Sequence, residues 1–203
     1  TGIIISLNCE TDFVAKNESF VALANQIATI ALSANTKDEL LSSDFENTTV
    51  QEKLIEQTGV IGEKLEIGSF ERISSEFVGS YIHAGNKIAT IVGLSNSFDG
   101  ASEVAKNVSM QAAAMNPVAL DENGVSKDVI EKEIEIAKDQ LRAEGKPEAM
   151  LDNIAKGKLK KFFKENTLVN QAFIKDNKLS VTDYVKSVNS ECSITDFKRS
   201  ALV

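Results

Sequence analysis

The stretch at 7–20, LNCETDFVAKNESF, ends a run of isoleucines and opens a helix, and its reading decides how the chain is organised. Upstream, GIIISL (2–7) is a β-branched run of strand length. Downstream, Phe20, Leu23, Ala24, Ile27 and Ala31 recur at helical spacing and share one face. Phe13 lies two helical turns before Phe20, so spacing alone extends the core stripe to it. The stripe has by then reached a helix end beside a charged turn, where burial needs something from outside. Core packing and partner contact both stand as readings of Phe13. Glu10 and Asp12 suit a helix N-terminus, with Asp12 the expected N-cap.

Outward from this stretch the chain repeats itself. VAKNESFVALA (14–24) and VAKNVSMQAAA (104–114) agree at most of their positions, and each follows an apolar run, GIIISL or ATIVGL (89–94). The copies differ most in the turn between strand and helix, where NCETDF in the first faces the longer SNSFDGASE in the second. Two related strand-plus-helix modules are expected, the second helix running from Ala101 to Met115 and stopping before Pro117. Between them, a short helix at about 50–58 and three antiparallel strands over 64–94 are expected.

From Ser126 the period changes. Ile130, Ile134, Ala137 and Leu141 form a seam of coiled-coil spacing, EGKP (144–147) supplies a glycine stop and proline restart, and Leu151, Ala155, Leu159 and Phe162 form a returning seam. This predicts an antiparallel helical hairpin, charged outside its seam and projecting from the body. A loop and short helix, then a last strand in ECSITDFKRSALV, close the chain; the second TDF, Thr195–Phe197, falls in that strand and carries no site.

Composition bounds the function. With 42% hydrophobic residues the chain can bury a core, and 22 Lys+Arg against 30 Asp+Glu argue against a nucleic-acid surface. Two cysteines, Cys9 and Cys192, are too few for a disulfide framework and suit a reducing compartment. No apolar run reaches the ~18 residues that span a bilayer, so no membrane partner is expected. Beginning on TGIIIS without a methionine, the chain reads as part of a longer protein.

Enzymatic constellations are missing. There is no phosphate-binding glycine loop, no G-x-S-x-G elbow and no H-E-x-x-H, and the one histidine, His83, leaves a zinc site to carboxylates and cysteine. Cys9 with His83 as nucleophile and base, or Glu10 with Asp12 as acid and base or Mg²⁺ ligands, are weighed against strand packing and helix capping. The bland readings are preferred.

NCETDFVAKNESF resembles the signature of the elongation factor Ts family, guanine-nucleotide exchange factors for elongation factor Tu. GSYIHAGNKIATIVGL (79–94) and the segment from EGKP to DYVK (144–186) are similar to that family in the same order, so the resemblance covers essentially the whole chain. It departs at Ala84-Gly85-Asn86, where the family commonly has a glycine pair, and at Ala172 in place of proline. The family's preceding helical domain and its C-terminal helix are expected outside this sequence. The resemblance implies an α+β fold of two related strand-plus-helix core subdomains, antiparallel sheets with packed helices, carrying an inserted antiparallel coiled-coil hairpin. The expected divisions are 1–60, then 61–125 with 167–203, and the hairpin at 126–166. It further implies a bacterial cytoplasmic or organellar protein without covalent chemistry, cofactor or metal of its own, acting on the Mg²⁺-GDP held by its partner. Thr11, Asp12, Phe13 and Val14 are the implied partner-binding turn, Phe13 as wedge and Asp12 as the group that disturbs Mg²⁺, with His83 a further contact. Partner binding or self-association through the 126–166 hairpin is the alternative.

Overall fold

A computed structural model of the chain describes residues 1–202, an α+β protein of packed helices and small antiparallel sheets. It divides into two compact units, Thr1–Ala113 with Thr195–Val203, and Ala114–Ile194.

The first unit begins with strand β1 (Gly2–Asn8), a short helix α1 (Asp12–Ala15), and the long helix α2 (Glu18–Ala31). The α2 stripe is buried as its spacing requires: Phe20, Leu23, Ile27 and Ala31 lie in one core with Leu7, and Ala24 packs against it. Helix α3 (Lys37–Ser42), the two-residue strands β2 (Asp44–Phe45) and β3 (Thr48–Thr49), and helix α4 (Val50–Ile61) close that core through Leu40, Phe45, Val50 and Leu54. Helix α4 starts with a capping box between Thr49 and Glu52 and ends at Gly62, whose φ of 79° is left-handed. It thus outlasts the expected 50–58 by most of a turn.

Strands form over 64–94 where expected: β4 (Glu66–Ile73), β5 (Phe77–Ile82) and β6 (Ile88–Leu94). They do not form one meander. Strand β4 pairs antiparallel with β1, while β5 and β6 form an antiparallel hairpin. Ile73 of β4 joins Ile4 and Ile91 in a second, smaller core, so the apolar faces are satisfied across the two sheets. Helix α5 (Ala101–Met115) follows β6 as α2 follows β1, buries Val104, Ala105, Val108 and Ala112, and ends before Pro117.

In the second unit, helices α6 (Lys127–Ala143) and α7 (Glu148–Asn166) pack on each other. Ser126 caps α6, accepting from Val129 N–H. The chain turns at Gly145 (φ 74°), where Gly145 N–H donates to Arg142 O and Lys146 N–H to Leu141 O, the two bonds of a Schellman ending. Ala137, Leu141, Leu151 and Ala155 of the expected seams are buried; Ile130, Ile134, Leu159 and Phe162 are half-buried. Lys138 pairs with Asp152 at 3.0 Å and Arg142 with Glu148 at 2.9 Å, on partly or largely exposed side chains. The segment after α7, expected as a loop, holds a small hairpin of β7 (Ala172–Phe173) and β8 (Asp176–Ser180), followed by helix α8 (Val181–Val188). Its turn rests on Asp176, which accepts from Lys178 N–H, and on Phe173 stacked over Tyr184 with centroids 4.0 Å apart. Strand β9 (Ile194–Ala201) lies beside β6 in the order β5-β6-β9 and carries the second TDF. No helix among the described residues is long and apolar enough to cross a membrane.

Exposed ion pairs contribute little and buried leucines much, so the seam should hold α6 on α7. Leu141→Ala, at a site 1% exposed, is expected to cost about 2–5 kcal/mol in urea unfolding, and Asp152→Ala to shift the midpoint far less.

Candidate functional site

Where β1 ends, three residues separate it from α1. Thr11 caps α1, its hydroxyl accepting from Val14 N–H at 3.4 Å. Asp12, the expected cap, instead occupies the first helical position and pairs with Lys16 at 2.7 Å, both side chains exposed. Helix α1 lasts only four residues; Asn17 then caps α2, accepting from Ser19 N–H and Ser19 Oγ at 2.9 and 2.7 Å. The helix is therefore broken between Ala15 and Glu18, and Phe13 does not extend the α2 stripe. Phe13 is 83% exposed, the most exposed of the large apolar residues among those described, while Val14 packs partly into the core.

The turn is held from the segment between α4 and β4. The Glu63 carboxylate accepts from the backbone N–H of Glu10 and of Thr11, each at 3.0 Å, and from the Thr11 hydroxyl. In return the Glu10 carboxylate accepts from Lys64 N–H at 3.3 Å. The Thr11 hydroxyl, more than the backbone donors, keeps Glu63 below its ordinary value of 4.5. Glu10 and Asp12 thus face different partners, a backbone amide and Lys16, and do not converge as a catalytic or metal-binding pair.

His83 lies in the β5–β6 turn, exposed, with Nδ1 3.0 Å from the Tyr81 hydroxyl. Its N–H donates to Ile88 O and its carbonyl accepts from Asn86 N–H, closing a loop in which Gly85 and Asn86 both take positive φ. Lys87 of this loop is within electrostatic reach of Asp12: Lys16 is the main cause of that carboxyl's lowered pKa, and Lys87 the least of five. Ile82, next to His83, is also exposed.

Cys9, just past β1, is half-buried and donates its Sγ–H to Thr11 O at 3.2 Å. Burial, and secondarily the Glu63 charge, push its pKa up from 9.0, which favours the unreactive thiol. Among the described residues no cluster of three or more His, Cys, Asp or Glu side chains is placed to hold a metal ion.

The sequence model of the family described as Elongation factor TS matches residues 10–202. The chain belongs to the elongation factor Ts family. It is 65% identical over 201 residues to an elongation factor Ts of Christiangramia forsetii, covering 99% of this chain and 73% of that protein. Identity is 63% to the elongation factor Ts of Flavobacterium psychrophilum, with the same coverages, and 48% to that of Amoebophilus asiaticus, covering 98% of this chain and 73% of that protein. Membership implies nucleotide exchange on elongation factor Tu during protein synthesis.

Glu63 is the member of the site that sequence reasoning missed. Local pattern does offer Gly62 as a helix stop, but nothing near Glu63 indicates that its side chain reaches back to Thr11. A lowered folded pKa means the contact is complete above 4.5 and is released as pH falls through the folded value. In an NMR titration the amide resonances of Glu10 and Thr11 are expected to move together with a midpoint below 4.5. Resonances that stay fixed through that range would contradict the clamp.

Proposed function

We propose that the chain promotes GDP release from elongation factor Tu by inserting the turn Thr11-Asp12-Phe13-Val14 near the partner's Mg²⁺ and nucleotide. The observation that carries this reading is Phe13, 83% exposed on a turn pinned at its base by Glu63. A monomeric fold gains nothing from a rigidly presented aromatic ring in water, whereas an interface gains apolar area with little ordering cost.

Bound GDP is held largely through phosphate contacts and Mg²⁺. A wedge that displaces the partner's phosphate-binding backbone, with an acid that perturbs the metal and its waters, weakens that hold without any bond being made or broken. Asp12 is available for this: its pairing with Lys16 is exposed on both sides, and such pairs separate readily. Reciprocity then requires bound nucleotide to weaken the factor's own affinity equally, so incoming GTP expels it. His83 is a second contact to the nucleotide domain, with exposed Ile82 beside it.

The α6–α7 pair is read as the coiled-coil hairpin inserted in a duplicated core, supported by its buried seam and by the parallel order of β1 with α2 and β6 with α5. It serves as an additional docking arm. The setting is the bacterial cytoplasm, in keeping with the bacterial relatives.

Release of labelled GDP from elongation factor Tu tests the proposal. Asp12→Ala with Phe13→Ala is expected to lower the stimulated rate at least tenfold, roughly the loss of one central aromatic anchor. Cys9→Ser should leave the rate unchanged, and deletion of 126–166 should lower it only in part. Full activity in the Asp12/Phe13 variant would defeat the proposal.

A further inference from the structure

We propose that Glu63 is a positioning residue for nucleotide exchange, its carboxylate holding the 11–14 turn in the shape that meets the partner. This rests on the exchange reading above and assigns a role to a side chain that itself need not touch elongation factor Tu.

The β1–β4 ladder ends with Asn8 opposite Glu66. Counting on in that register sets Glu10 opposite Lys64 and Thr11 opposite Glu63. Backbone pairing does not continue there. Instead the Glu63 carboxylate takes the N–H groups of Glu10 and Thr11 and the Thr11 hydroxyl, and the Glu10 carboxylate takes Lys64 N–H. Side chains thus extend the ladder past its last backbone pair, and a charged acceptor does this more strongly than a carbonyl. The same threonine that Glu63 grips also caps α1, so its grip sets where that helix begins and where Phe13 points.

Glu63 is itself well fixed. It follows left-handed Gly62, whose N–H is bound to Thr58 O, and Leu65 N–H is bound to the Thr58 hydroxyl. Val50 and Leu54 seat α4 in the core. Beyond this clamp the turn has the Cys9 Sγ–H on Thr11 O and the exposed Asp12–Lys16 pair; Thr11, Asp12 and Phe13 are exposed, and of residues 11–14 Val14 alone packs inward.

Without Glu63 the turn is spread over several shapes, of which a fraction fits. Affinity falls by that fraction, while the engaged complex, its wedge and acid intact, releases GDP at the usual rate. A concentration effect with a preserved saturating rate therefore separates positioning from direct action.

The test is stopped-flow release of labelled GDP from elongation factor Tu over a range of concentrations of the full-length factor. Glu63→Ala is expected to raise the half-saturating concentration about tenfold with the saturating rate kept within about twofold, as a fractional population of fitting turns requires. Glu63→Gln, the same shape with one acceptor and no charge, should fall between it and the parent, and serves if Glu63→Ala does not fold. Added to Asp12→Ala/Phe13→Ala, Glu63→Ala should cause no further loss. A parental concentration curve for both Glu63 variants overturns the proposal, as does a loss that adds in full to that of the truncated tip. Parental rates for Asp12→Ala/Phe13→Ala itself would instead remove the exchange reading, a different result on a different variant.

Discussion

The pairing of β1 with β4 is the constraint on which the first unit depends. Strand β1 serves two cores at once: Leu7 lies with the α2 stripe, and Ile4 lies with Ile73 and Ile91. Ile3 and Ile5 pack on the Leu7 side, so alternation along the strand divides its residues between the cores, and the register shift between Ile5 and Leu7 marks a bulge. Because both cores need this strand, its ends are fixed, and the residues just past Asn8 must leave the sheet at a defined place. The exposed turn is simply what comes next in the chain.

What leaves the sheet is polar at its base and apolar at its tip. Glu10 and Glu63 bind backbone N–H groups, and their charges are committed to local structure. Asp12 and Phe13, one step further out, have no such obligation: one is in a loose exposed pair and the other packs on nothing that buries it. Local structure is thereby carried by Glu10 and Glu63, while Asp12 and Phe13 beside Glu10 stay exposed. Two acids two positions apart, Glu10 and Asp12, look equivalent in the sequence and differ completely in what the fold asks of them.

Much of this was legible in the residues. The helical stripe from Phe20 to Ala31, the stop of α5 before Pro117, the strand that absorbs the second TDF, and the turn at Gly145 all follow from local pattern, because local hydrogen bonding and periodic burial cause them. Strand partnership was not legible: 64–94 contains three strands, but which of them joins β1 depends on apolar faces far apart in sequence. The same holds for Glu63, whose partners lie more than fifty residues earlier, 53 for Glu10 and 52 for Thr11. The β7–β8 hairpin escaped because a two-residue strand shows no alternation. In the turn itself, the family signature named the residues, and spacing alone pulled Phe13 toward the core.

The reason spacing misled is itself informative. Had one helix run unbroken from Asp12 to Ala31, Phe13 would sit seven residues before Phe20 on the same face and would share its burial. Asn17 prevents this. By accepting from Ser19 N–H and Oγ it starts α2 afresh, and its own extended backbone (φ −68°, ψ 132°) breaks the helix that Lys16 would otherwise continue. Thr11 starts the four-residue α1 independently, with Glu63 behind it. Two caps six residues apart therefore convert a ring with core spacing into a ring in water. Asparagine and threonine are good caps because their side chains compete with continuous helix for backbone donors, so the sequence TDFVAKN encodes a helix that begins twice, and the interval between the two beginnings is the exposed tip.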